Sequence, residues 1–269
     1  MNLDKMTVNI KPLPVYQAMD LGLSIARAWY GDLWRLWWQS PALWLGLVAS
    51  VMLAMFPLYG QAEFAVYFWL IFGLWWLKPL HERRLVIFLS QKLFNNEYQI
   101  EDVPQLAKTM PKVRFMLFKR LGSRRMMVMP VHLLEGQTGK NAKTRLKALT
   151  RRQDGQISSH GAGFFILEMA IWLVGYETLL SLCQLGSNLG SEVELEIPQW
   201  LDAMLFVLSY FATISLLTPF FVASGFAMYL CKRSQLEGWD IELTFRKLLR
   251  RYQDGQKHLM ADDNKGANT

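Results

Sequence analysis

Two carboxylates stand alone in apolar sequence. Glu168 and Glu177 are the only charged residues between Ala162 and Leu185. A carboxylate in a hydrocarbon setting costs a few kcal/mol and normally turns toward protein or a polar path. The two are about two and a half helical turns apart, so they point to opposite faces and cannot share one bound ion. Glu168 lies nearer the end of the run that meets basic sequence, and a structural role fits it there. Glu177 lies nearer the middle and is the stronger functional candidate. It would either line a path for a small solute or lipid, or hydrogen-bond to Ser209, Thr213 or Ser215 in the last apolar run.

The rest of the inventory offers little chemistry. His81, His132, His160 and His258 are scattered, and no pair has metal-ligand spacing, so no zinc site is expected. Cys183 and Cys231 form no Cys-x-x-Cys motif. The stretch Gly136–Lys140 (GQTGK) has Leu134 where a phosphate-binding loop needs its first glycine, and Asn141 where it needs Ser or Thr. No nucleophile elbow is present. No catalytic residue, cofactor or metal is expected. A lipid-modifying enzyme would need a polar cluster at headgroup depth, for which Glu237, Asp240 and His81 are the available groups.

The elements that position these residues read as membrane spans. Hydrophobic residues make up 52% of the 269, and they come in blocks. Pro41–Leu80 carries only Glu63 and Lys78, and Leu201–Cys231 only Asp202. A bilayer core needs roughly 20 apolar residues of helix. The expected fold is all-α and polytopic. Transmembrane helices fall at 43–59, 64–80, 162–185 and 201–231, the last kinked at Pro219, and interfacial amphipathic helices accompany them. The N-terminus lacks a secretory signal, so the first span would direct insertion. Lys and Arg set the orientation. Seventeen of the 29 fall between Lys78 and His160, four precede Ser40, eight follow Cys231, and the short links at 60–63 and 186–200 have none. Both termini and the middle loop are therefore expected in the cytoplasm. Trp37, Trp38, Trp44, Trp75, Trp76 and Trp200 fall where headgroup belts would sit.

The cytoplasmic parts are basic and amphipathic. Residues 1–40 hold one helix, with a stripe through Tyr16, Met19, Leu23, Ala26, Trp29, Leu33 and Trp37. It would lie on the leaflet or on the other cytoplasmic segments. Within the basic region 81–161, Leu85–Phe94 reads as a short helix. Lys112–Leu121 reads as a leaflet-binding helix, and Lys140–Arg152 as a third, stopped by Gly155. Residues 232–259 form an exit helix that leaves the membrane near Tyr229–Arg233, and 260–269 a disordered tail. Candidate contacts with lipid or partner are Arg120, Arg124, Arg125, Arg233, Glu237, Asp240 and Glu242. A net charge of +7 beside a membrane points to anionic phospholipid as the polyanion, not nucleic acid.

Several short motifs resemble known sequences. Pro219-Phe220-Phe221, Tyr229-Leu230, Arg233 and Leu236-Glu237-Gly238-Trp239-Asp240-Ile241-Glu242-Leu243 are similar to the final span and exit of a broad group of bacterial membrane proteins. That group includes the membrane domain of glycerophosphoryl diester phosphodiesterase. Trp75–Leu80, Leu89-Ser90, Phe94, Met129-Pro130-Val131 and Leu134-Glu135-Gly136 resemble a narrower proteobacterial subgroup encoded near MoxR-type AAA+ ATPases. The resemblance spans residues 75–250. It implies an accessory protein of the inner membrane and imports no active site, since the phosphodiesterase barrel has no counterpart. The expected function is a non-enzymatic scaffold of a cell-envelope complex, with membrane proteins, an AAA+-associated complex or further copies of the chain as partners. The alternative is a transporter or channel component.

Overall fold

The computed structural model describes residues 13–40, 44, 63–95, 98–110, 125–151, 154–190 and 198–238. Among these residues the chain forms helices and turns and no strand. In chain order the α-helices are α1 (Val15–Ala28), α2 (Tyr30–Trp38), α3 (Glu63–Lys92), α4 (Val103–Thr109), α5 (Arg125–Leu134), α6 (Gly139–Thr150), α7 (Asp154–Gly190) and α8 (Gln199–Glu237). The span expected at 43–59 lies outside the described residues apart from Trp44. So do Lys112–Leu121, Arg120, Arg124, Asp240, Glu242 and the tail.

Helix α8 is the axis of the fold. It is 39 residues long, about 58 Å of straight helix at ~1.5 Å per residue. It starts after Pro198 and ends at Gly238, whose left-handed φ of 63° lets its N–H bond Ser234 O. Replacing Gly238 by Ala should cost about 1 kcal/mol, because a Cβ in this conformation crowds the carbonyl. The expected readout is a fall of a few degrees in the melting temperature of the detergent-solubilised protein. Helices α1, α2, α3, α5, α6 and α7 all pack against α8. Phe226, Met228, Tyr229, Leu230 and Cys231 are each at most 2% exposed. The stretch expected to leave the membrane among headgroups is therefore enclosed by protein.

Sequence boundaries moved where prolines and charges suggested breaks. The segment Leu85–Phe94 is the second half of α3, not a separate helix, and the chain stays helical through Pro79. Its Leu85, Ile87, Phe88 and Leu89 are fully buried. Helix α8, by contrast, is one continuous helix that includes Pro219, in keeping with a single final span. Helix α6 ends at Thr150, with Arg151 already extended, and Gly155 sits in the first turn of α7 rather than stopping α6. The N-terminal helix is two, divided at Trp29. The buried face of α1 is Val15, Ala18, Met19, Gly22, Ile25 and Ala26, while Tyr16 is 58% exposed. Trp37 is fully buried against Phe211 (5.4 Å between centroids) and belongs to the core, not to a headgroup belt.

Helices α7 and α8 are long and apolar enough to cross a membrane. They differ in one respect. Of the most apolar window, 61% is buried inside the protein in α8 but only 11% in α7. Phe165, Ile166, Leu173, Val174, Leu182 and Leu185 of α7 all stand exposed. A continuous apolar surface of this extent marks contact with lipid or another protein.

Candidate functional site

The charged side chains that sequence scatters over three helices meet inside the bundle. Helix α3 carries Lys78, His81 and Glu82 within little more than one turn, and all three are buried. Lys78 Nζ donates to Glu168 Oε2 on α7 at 2.5 Å. The other carboxylate oxygen, Oε1, accepts from Tyr210 OH on α8 at 3.1 Å. One turn along α3, Glu82 Oε1 accepts from Arg125 Nη2 on α5 at 2.7 Å. The ring of Phe221 on α8 lies between the two pairs, 5.7 Å from Lys78 Nζ and 5.1 Å from Arg125 Cζ. Both distances suit cation–π attraction. His81 Nδ1 meets Ser40 Oγ at 2.8 Å, and its ring lies 6.1 Å from Trp37. This layer joins α2, α3, α5, α7 and α8.

Sequence reading placed Glu168 in a structural role but gave it no partner, and it placed Lys78 at the cytoplasmic end of the span 64–80, also without a partner. The pairing spans 90 residues and has no local signal. One clue was present: Lys78 is the sole cation in the apolar run of α3, and a buried carboxylate demands a cation. Arg125, expected to face lipid or a partner, is instead held by Glu82 and Phe221, with its side chain only 11% exposed.

A second cluster closes the far end of α8. Glu135 accepts from Arg145 Nε at 2.7 Å and from Tyr229 OH at 2.8 Å. Arg145 also bonds Glu237, and Arg233 Nε donates to Glu237 Oε2 at 2.9 Å. Arg145 is held above the ordinary guanidinium range, chiefly by its hydrogen bond to Glu135. Arg233 and Glu237, expected to contact partner or lipid, are thus tied into a ring that fastens α5 and α6 to the end of α8. His81 and Glu237 lie at different levels. Trp37, beside His81, packs on Phe211, and Glu237 is about 39 Å farther along α8 at ~1.5 Å per residue. They do not form one cluster.

Glu177 is exposed on the outer face of α7. The three hydroxyls considered as its partners are engaged elsewhere. Ser209 Oγ bonds Phe206 O at 2.9 Å, and Thr213 Oγ1 bonds Ser209 O at 2.8 Å. Ser215 Oγ accepts from Trp34 Nε1 at 2.9 Å. On the inner face of the same helix, Tyr176 OH donates to Asp202 Oδ1 at 2.5 Å. His160 Nε2 meets Ser224 Oγ at 2.9 Å, and Ser224 in turn donates to Phe221 O at 3.0 Å. The serine hydrogen is therefore spent, and His160 is the donor of the pair.

Among the described residues no three His, Cys, Asp or Glu side chains converge as a metal site would require. Every buried charge in the layer has a partner of opposite sign. An arrangement of this kind holds helices in register. No protein-family model matches the chain, and no curated protein or solved structure matches it.

Proposed function

We propose that this chain is a multi-pass protein of the bacterial inner membrane, with four spans and both termini in the cytoplasm. It carries out no catalysis of its own and holds a partner protein at the inner leaflet. The observation that carries the reading is the asymmetry of α7. Its apolar side chains face outward from Phe165 to Leu185, about 30 Å of helix, which matches the hydrocarbon thickness of a bilayer. Its polar groups Glu168 and Tyr176 turn inward to Lys78, Tyr210 and Asp202. The basic composition of residues 81–161 supports the orientation, because cationic loops stay on the cytoplasmic side.

In this reading the Lys78–Glu168 layer couples the spans to a cytoplasmic helical head made of the second half of α3, α1, α5, α6 and the end of α8. That head is the part that presents surface to a partner. The motif resemblance suggests a complex associated with an AAA+ ATPase as the class of partner. Reporter fusions after Gly60 and Gly190 should lie on the opposite side of the membrane from a fusion at the C-terminus. Finding all three in one compartment would refute the topology. Purification in mild detergent followed by mass spectrometry should recover a second protein in fixed ratio, and a homogeneous preparation of this chain alone would argue against the scaffold role.

A further inference from the structure

We propose that the outer face of α6 docks an acidic segment of a partner protein, on the cytoplasmic side and clear of the leaflet. The proposal deepens the scaffold reading above and rests on it. Helix α6 has two faces. Ala142 and Leu146 pack against the core, Leu149 is 1% exposed, and Arg145 bonds Glu135 and Glu237. On the opposite side Lys140, Lys143 and Lys147 recur at spacings of three and four, all exposed, and exposed Arg151 follows just past the helix. Like charges at these spacings repel. None of the four side chains has a hydrogen bond or ion pair among the described residues. The stretch from Gly136 to Gln153 contains no Asp or Glu. The acids that α6 does meet are spent on its inner side, Glu135 on Arg145 and Tyr229 and Glu237 on Arg145 and Arg233. The outer face therefore lacks counter-charge.

The rest of the chain is not suited to supply it. Outside the described residues, 111–124 carries five Lys or Arg and no acid, 1–12 carries two against one, and 239–269 six against five. Residues 41–62 carry no charge, and Glu97 is the only acid in 96–97. The acid-rich segment 191–197, with Glu192, Glu194 and Glu196, begins past Gly190. That is about 54 Å along α7 from Asp154, the end that adjoins α6.

The leaflet is out of reach as well. The apolar outer surface of α7 begins at Phe165, and Phe164 packs on Phe221 of α8 at 5.5 Å. Glu237, which holds Arg145, is about 24 Å farther along α8. Headgroups extend only about 5–8 Å beyond the hydrocarbon, and physiological salt screens exposed charges over about 8 Å. Lys140, Lys143 and Lys147 therefore face water. Nucleic acid fits less well. Single strands are held by cations with aromatic rings between them, and the other exposed residues of α6 are Asn141, Thr144 and Ala148. A duplex engages more cations than this face carries. A short run of carboxylates matches its length, about 10 Å from Lys140 to Lys147.

Binding of a fluorescent oligoglutamate to the purified full chain, read by anisotropy, tests this. Lys143→Glu/Lys147→Glu should weaken binding about tenfold, the sum of two exposed charge pairs. Arg27→Glu/Lys108→Glu removes the same charge from exposed positions on α1 and α4 and should weaken it far less. Equal losses in the two variants would overturn the proposal, because only net charge would then matter. So would an oligouridylate of the same length that binds the α6 face more tightly than the oligoglutamate. Carbodiimide coupling of Lys143 or Lys147 to a carboxylate in 239–269 of the same chain would show that the tail fills the face, which also overturns it. In a Cys183→Ser background, Lys143→Cys should react with a maleimide at one rate in phosphatidylcholine and phosphatidylglycerol nanodiscs. Slower reaction in phosphatidylglycerol would assign the face to headgroups instead. Alkaline carbonate extraction separates this proposal from the reading beneath it. A chain that stays in the membrane pellet but shows no α6 preference refutes only the docking face, and a chain that is released refutes the membrane assignment itself.

Discussion

Lys78→Met is expected to destabilise the protein by about 3–5 kcal/mol, because it leaves the Glu168 carboxylate buried without its cation. Glu168 is 7% exposed and Lys78 3%, so solvent cannot take the place of the missing partner. Glu168→Leu should cost a comparable amount by stranding the ammonium group. The double variant Lys78→Met/Glu168→Leu should recover most of the loss, since two apolar side chains of similar volume need no compensation. Tyr210→Phe should cost only about 1 kcal/mol, the net worth of one hydrogen bond. Thermal unfolding in detergent, followed by circular dichroism, checks the series, with the single variants falling by on the order of 10 °C and the double variant staying near the parent. Near-equal melting temperatures for all four proteins would mean that the pair is hydrated and does not hold α3 to α7.

The consequence reaches beyond stability. The pair sits where the outward-facing apolar stretch of α7 begins, three residues past Phe165. Phe221 links it to Arg125 and Glu82. A helix that shifts at this level must break a charge pair in a low-dielectric setting, and that cost keeps α3, α5, α7 and α8 in one register. A scaffold needs such rigidity, because a partner bound at the helical head gains position only if the head is fixed relative to the spans.

How much of this was legible from residues alone differs by kind of feature. The apolar blocks that became α7 and α8 were plain, because lipid-length runs with only one or two charges are a compositional signal. Helix continuity was not. Lys78, Pro79, Glu82, Arg83 and Arg84 look like a boundary, yet α3 continues, because tertiary partners absorb the charges. Glu82 takes Arg125, and Arg83 Nη2 donates to Met110 O at 2.9 Å. Burial pulls Arg83 and Arg84 below the ordinary guanidinium range. The stretch Phe226–Cys231 misled in the other direction. An apolar run reads the same whether lipid or protein covers it, and only the packing of α1 and α5 decides. Opposite faces for Glu168 and Glu177 followed from the helical repeat. That Lys78 would meet Glu168 did not, because nothing within either segment encodes the pairing.

Gly22→Ala is expected to loosen α1 from α8 and expose Cys231. The two helices touch backbone to backbone at this point. A Cβ on Gly22 would lie 2.4 Å from Ser224 Cα, 2.7 Å from Ala223 O and 2.8 Å from Ser224 N. None of these atoms is a side-chain end that can swing aside, so the helices must part. On the other side of α8, a Cβ on Gly225 would come within 2.6 Å of Met126 Cβ on α5. The small residues Ala223, Ser224, Gly225 and Ala227 therefore form a waist where two helices close on the axis at once. Overpacking of this kind costs typically 1–3 kcal/mol, with relief coming from movement of the less anchored element. Here that element is α1, whose first turn covers the end of α8, with Gln235 Nε2 bonded to Leu13 O at 3.1 Å. Cys231, fully buried and lying against the Leu13 backbone, reports the movement. In a Cys183→Ser background its labelling by a maleimide should rise about tenfold in Gly22→Ala, the ratio that ~1.4 kcal/mol of local opening gives. Gly31→Ala, where a Cβ meets nothing within 4 Å, is the control and should label like the parent. If Gly22→Ala and Gly31→Ala label alike, the contact at Ser224 is not close enough to matter, and α1 is held to α8 by its apolar face alone.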